Sequence, residues 1–209
     1  MTPEKMQAII EAALMVAGRP LNIAALQQLF PEDDRPSQSD LKMIISLLRE
    51  AYQSAGIELV EVASGYRFQA RAEYSPWLAK LWEERAPRYS RAFLETLSII
   101  AYKQPITRAE IEEIRGVTVS SSIMKTLQER EWIRVLGYRE VPGKPALYGT
   151  TKTFLDYFNL TSLTALPPLA EFKSLENQEA QLQVELALNE SELGPSDSEH
   201  IPEETTIYA

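Results

Sequence analysis

Few side chains in this 209-residue sequence are of the kind that make or break bonds. There is no cysteine, which removes thiol nucleophiles and disulfides. The single histidine, His200, lies in an acidic C-terminal stretch that reads as disordered, which excludes His-dependent triads and most zinc sites. Glu83-Glu84 and Glu112-Glu113 are adjacent carboxylates, and neighbours on a helix point in different directions, so both pairs read as solvated faces. Gly143-Lys144 lacks the wider glycine spacing of a phosphate-cradling loop. No catalytic residue, metal site or cofactor is expected, and the chain is not expected to be an enzyme. The chemistry that remains is recognition. Tyr102-Lys-Gln-Pro-Ile-Thr-Arg108 gathers an aromatic ring, two cations and an amide at one helix junction. Aromatic and arginine side chains are common interface hot spots.

Residues 91–151 must position that junction. Phe93, Leu97 and Ile100 share one helical face. Pro105 discourages the helix from continuing. Thr107 and Glu110 form a T-x-x-E capping box for the next helix, with Ile106 and Ile111 as its hydrophobic staple. Gly116 suits a left-handed helix end. A third helix is predicted from about Ser120 to Arg130, with Ile123 and Leu127 buried. Ile133 and Val135 then alternate as a strand, Val141–Pro145 supplies turn chemistry, and Ala146-Leu147-Tyr148 returns. The pattern of helices followed by a hairpin is that of a winged helix-turn-helix.

The same pattern occurs earlier. Met6, Ile10, Ala13 and Ala17 step along a helix over residues 3–17, and Asn22 caps a short helix carrying Leu26 and Leu29. Leu41, Ile44, Ile45, Leu48 and Tyr52 trace a third helix. Ile57, Leu59 and Val62, then Tyr66, Phe68 and Ala70, read as a hairpin turning at Ser64-Gly65. Pro20–Leu29 aligns without a gap on Pro105–Ile114, an offset of 85 residues: proline, apolar, cap, any, alanine, any, apolar, any, any, apolar. The fold class expected is mainly α with small β wings (α+β), as tandem winged helices. Residues 1–86 would form the first domain, 87–169 the second and 170–209 an acidic disordered tail.

Between the repeats, Tyr74–Arg85 reads as a helix whose Trp77, Leu78, Leu81 and Trp82 either pack on the first domain or contribute to a dimer surface. After the second wing, Thr153–Asn159 reads as a short helix with Phe154, Leu155 and Phe158 facing inward. In the tail, Val184 and Leu188 could support a transient helix that binds a partner.

Charge narrows the choice of partner. The net charge is −9, yet residues 1–169 hold 20 cations and 20 acids, so the imbalance belongs entirely to the tail. Residues 90–160 carry ten cations against eight acids. Each phosphate neutralised adds to nucleic-acid affinity, so this surplus predicts weak DNA contact without sequence preference. No apolar run is long enough for a membrane span, the N-terminus lacks signal-peptide features, and a cytoplasmic location is expected.

The run ETLSIIAYKQPITRAEIEEIRGV, with VPGKPALYGTT after it, closely resembles the segregation and condensation protein B (ScpB) family, over roughly residues 3–169. The resemblance implies a homodimer formed mainly through the first domain. It also implies binding to the kleisin ScpA, which bridges the heads of an SMC ATPase dimer, and a nucleoid-associated role in chromosome condensation and segregation. Matching positions are Tyr102–Arg108, together with Gly143, Pro145, Leu147, Tyr148 and Gly149 on the wing. Tyr102, Lys103, Gln104, Arg108 and Tyr148 are the expected partner-binding residues, with Tyr102→Ala and Arg108→Glu expected to weaken capture while sparing the fold. The alternatives are a tandem winged-helix DNA-binding regulator and an interaction adaptor unrelated to chromosomes.

Overall fold

The computed structural model describes residues 2–81 and 89–168. Helix α1 (Pro3–Val16) is capped by Thr2 and buries Ile10 and Leu14, with Met6, Ala13 and Ala17 partly buried beside them. Leu14 thus joins the predicted stripe. In α2 (Ile23–Gln27) Asn22 Oδ1 accepts the Ala25 N–H at 2.8 Å and Leu26 is fully buried. Leu29 does not face the core as predicted. The helix has already ended, Leu29 is 45% exposed, and Phe30 fills the core instead. Helix α3 (Gln38–Ala51) starts at a Ser37–Asp40 capping box and buries Leu41, Ile44, Ile45 and Leu48, as its periodicity requires.

Strands β1 (Ile57–Val62) and β2 (Gly65–Ala70) form an antiparallel hairpin. Leu21 bridges to Tyr66 by reciprocal backbone bonds of 2.9 Å, giving the first wing a third, one-residue strand. The turn passes so close to this bridge that a Cβ on Gly65 would lie 2.3 Å from the Leu21 carbonyl oxygen. Glycine is required there, and its φ of 136° is also one that L side chains rarely adopt.

The predicted helix from Tyr74 is broken. Helix α4 (Ser75–Leu78) is flanked by 3-10 turns at Ala72–Tyr74 and Ala79–Leu81. Trp77 and Leu81 are 67% and 74% exposed, so these two side chains do not pack on the first module as predicted, whereas Leu78 is half-buried. Trp82 and the 86/87 boundary lie outside the described residues, as do the tail and His200.

The second module begins with α5 (Arg91–Lys103), which buries Phe93, Leu97 and Ile100. Then come β3 (Ile106–Thr107), α6 (Arg108–Arg115), α7 (Ser121–Glu129), β4 (Ile133–Tyr138), β5 (Ala146–Thr150) and α8 (Lys152–Tyr157). The sheet order is β3-β5-β4 and every pairing is antiparallel. A register shift between Val135 and Gly137 puts a bulge in β4. In α7 the buried pair is Met124 and Leu127, and Ile123 is only half-buried, so the inward face is rotated from the predicted one.

Trp132, 2% exposed, centres an aromatic cluster with Tyr89, Phe93, Tyr157 and Phe158. Phe154 is buried as predicted, Leu155 is half-buried and Phe158 remains 38% exposed. Both modules have helix, short strand, two helices and a hairpin, the order of a winged helix-turn-helix. Leu21 and Ile106, aligned in the sequence repeat, supply the equivalent short strands. Among the described residues no helix is long and apolar enough to cross a membrane.

Candidate partner-binding surface of the second module

Helix α5 stops at Lys103, with the Gln104 N–H still bonded to the Ile100 carbonyl at 3.0 Å. The Gln104–Pro105 peptide is cis. The chain then runs extended for two residues, pairing Ile106 with Tyr148 and Thr107 with Leu147. Thr107 N–H donates to Glu110 Oε2 at 2.9 Å, and Glu110 N–H donates to Thr107 Oγ1 at 3.3 Å. This is the predicted capping box, satisfying donors that a helix N-terminus otherwise leaves open. Arg139 on the wing reaches Glu110 Oε1 at 2.7 Å. Hydrogen bonds from the Thr107 backbone and hydroxyl, then the Arg139 guanidinium, hold the Glu110 carboxyl below the usual glutamate range. Helix α6 closes at Gly116 with φ 71°, the predicted left-handed end.

The five expected contact residues fall into different settings. Gln104 is a bracket between α5 and β5. Its Oε1 accepts the Thr150 N–H at 2.7 Å, and its Nε2 donates to the Ala101 carbonyl at 3.0 Å and to Thr150 Oγ1 at 2.9 Å. Arg108 closes the helix-turn-helix. Its Nε donates to Glu112 Oε1 at 3.0 Å, Nη1 donates to Ser121 Oγ at 3.2 Å, and Nη2 donates to the Val119 carbonyl. Gln104 and Arg108 thus each bridge separate elements of the module. Lys103 is exposed at the end of α5 and Tyr102 is half-buried beside it. Tyr148 is half-buried on the central strand, opposite both Ile106 and Val135. The structure therefore brings Gln104 and Tyr148 to the β5 sheet and turns Arg108 toward α7.

A second feature was not anticipated. Leu94 and Ile114 are 42% and 53% exposed and line a groove of about 750 Å³ between α5 and α6, with Ile99 and Ser98. Arg115 forms part of its wall and reaches Glu95 at 3.3 Å, while Arg91 pairs with the same carboxylate at 2.9 Å. The sequence signal was an excess of apolar residues on α5, where Leu94 and Ile99 stand beside the buried Phe93, Leu97 and Ile100.

Electrostatics decide what the helix-turn-helix can hold. Helix α7, the position of a recognition helix, offers Lys125, which pairs with Glu129 at 3.5 Å. Arg130 stacks instead over the Tyr89 and Trp132 rings, at 5.0 and 5.6 Å from their centroids. Arg91, Arg108, Arg115 and Arg139 are each in ion pairs. Among the described residues of this module, Lys103, Arg134, Lys144 and Lys152 are the cations in neither arrangement. No group of three His, Cys, Asp or Glu among the described residues could hold a metal ion.

These modules define a class: tandem winged helices, the second of which engages most of its described cations in its own ion pairs and ring contacts. The chain belongs to the family described as segregation and condensation complex subunit ScpB, whose model matches residues 8–169. It is 59% identical over 180 residues to the segregation and condensation protein B homolog of Coxiella burnetii, covering 86% of each chain. It is 40% identical over 179 residues to segregation and condensation protein B of Syntrophotalea carbinolica, covering 85% of this chain and 89% of that one. The crystal structure of ScpB from Mycobacterium tuberculosis matches 77% of this chain and 99% of its own, at 30% identity and a TM-score of 0.36.

Proposed function

We propose that this chain is a non-catalytic accessory subunit of a bacterial SMC–kleisin complex, acting in chromosome condensation and segregation. It works as a cytoplasmic, nucleoid-associated homodimer that binds the kleisin ScpA and through it the SMC ATPase. Family membership supports the complex. The observation that carries protein binding over DNA reading is the internal pairing of Lys125, Arg108, Arg115 and Arg139 on a helix-turn-helix scaffold. A recognition helix whose cation faces its own glutamate is a poor reader of phosphates and base edges.

In this reading the second module, residues 87–169, is the main kleisin contact and the first, residues 1–86, makes the dimer. Lys103, exposed and outside any ion pair, is the clearest surface contact, with Tyr102 and Tyr148 adjoining the same junction. Gln104 and Arg108 act by positioning. Isothermal titration of the purified chain with ScpA tests the reading, alongside Lys103→Glu. Saturable binding weakened by the variant supports it, and absence of binding by the unmodified chain refutes it. Sedimentation of the full chain tests the dimer, and a monomer at working concentration removes it.

A further inference from the structure

The first wing and the end of α8 are tied together by residues far apart in sequence. Ala63 N–H donates to the Leu160 carbonyl at 2.9 Å, and Ser64 N–H donates to Asp156 Oδ1 at 2.9 Å. Arg67 Nη2 donates to the Asp156 carbonyl at 2.9 Å and to Asn159 Oδ1 at 2.7 Å. Arg67 is half-buried, and its Nε is buried without a hydrogen-bond partner.

Both sides of the contact are shaped locally. Helix α8 ends with Leu160 N–H bonded to the Leu155 carbonyl at 2.8 Å, and with Asn159 in a left-handed conformation at φ 56°. The Asp156 carbonyl at this end accepts from Arg67, and the end carries the negative pole of the helix, a favourable place for an arginine. Glycine would take the left-handed position with less strain, but it would remove the Asn159 Oδ1 that is the second acceptor of Arg67. On the other side, the wing turn is pinned by the Leu21–Tyr66 bridge and by Gly65 packed on it. Two pre-shaped ends therefore meet, and because they share one chain, a modest affinity keeps them together.

We propose that this contact is an intramolecular latch. In the free chain it fixes the two modules as one body and holds the first wing, with Arg67, away from outside ligands. A wing closed in this way cannot reach a nucleic-acid backbone or a partner strand until the latch opens.

The sequence has no cysteine, so Lys42→Cys on α3 and Lys125→Cys on α7 give a specific spin-label pair across the modules. Pulsed dipolar spectroscopy on the full chain, diluted with unlabelled protein to suppress signals between copies, should show one narrow distance peak. Arg67→Ala and Asn159→Gly should each lose that peak while circular dichroism retains the helical signal. Asn159→Gly preserves the left-handed turn and removes only the amide, so it decides the question should Arg67→Ala fail to fold. A broad distribution in the chain with its latch residues intact overturns the proposal. So does a peak left unchanged by Asn159→Gly.

Discussion

Arg108 and Glu112 lie one turn apart on α6, and each holds one end of the Val119 peptide system: the guanidinium binds its carbonyl and the carboxylate its N–H. Val119 is itself fully buried. The ion pair thus fixes the turn into α7 rather than decorating the surface. Arg108→Ala should destabilise the second module by about 1–2 kcal/mol, the scale of a charge-assisted hydrogen bond to a partly buried carbonyl. Urea unfolding measures it. Arg108→Glu should cost more stability than Lys103→Glu, so loss of kleisin capture by Arg108→Glu is interpretable only beside a melting curve.

Gly149 should resist substitution. A Cβ there would lie 2.5 Å from Leu136 Cδ1 and 2.7 Å from Gln104 Oε1. Gly149→Ala is expected to cost about 1–3 kcal/mol through overpacking. Gln104→Ala leaves the Thr150 N–H without its acceptor and should cost a similar amount, about 1–3 kcal/mol. Thermal melting of the two variants and their double mutant should show less than additive loss, because the residues touch.

Acid should weaken the second module through Glu110. Its carboxyl titrates lower in the folded chain than in the unfolded one, because the Thr107 donors and Arg139 favour the charged form. The stabilisation is fully present above the unfolded glutamate pKa and is lost as pH falls through the lower folded value. Unfolding midpoints measured from neutral to acidic pH should drop across that window. Glu110→Gln should flatten the drop, and an unchanged profile would show that the capping carboxylate is not linked to folding.

DNA binding by the isolated chain should be weak and indifferent to sequence. Filter binding near physiological salt should give affinities weaker than about 1 µM, in the nonspecific range. Tight, sequence-selective binding would instead favour a regulator.

The sequence exposed those features that follow from local rules. The Thr107 capping box, the Asn22 cap, the Gly116 helix end and the α3 stripe depend on residues within a few positions of each other. Long-range roles were not legible. Nothing local to Gln104 points to Thr150, and nothing local to Arg108 points to Val119, since those contacts form only when the sheet and the helix-turn-helix close. Trp132 was missed because it lies between α7 and β4, where neither periodicity applies. The Trp77 segment misled for the opposite reason. Its apolar spacing suits a helix, but the chain breaks into 3-10 turns that leave Trp77 and Leu81 exposed.

The bulge in β4 bears on solubility. This strand is the outer one of its sheet, and Val135, Leu136 and Tyr138 on it are 38%, 47% and 65% exposed. A straight apolar border of that kind is a template on which further copies can stack into fibrils. The register shift between Val135 and Gly137 bends the strand and leaves its peptide groups out of step with a straight newcomer. An irregularity of one residue thus works against edge-to-edge stacking on a strand that carries exposed apolar side chains.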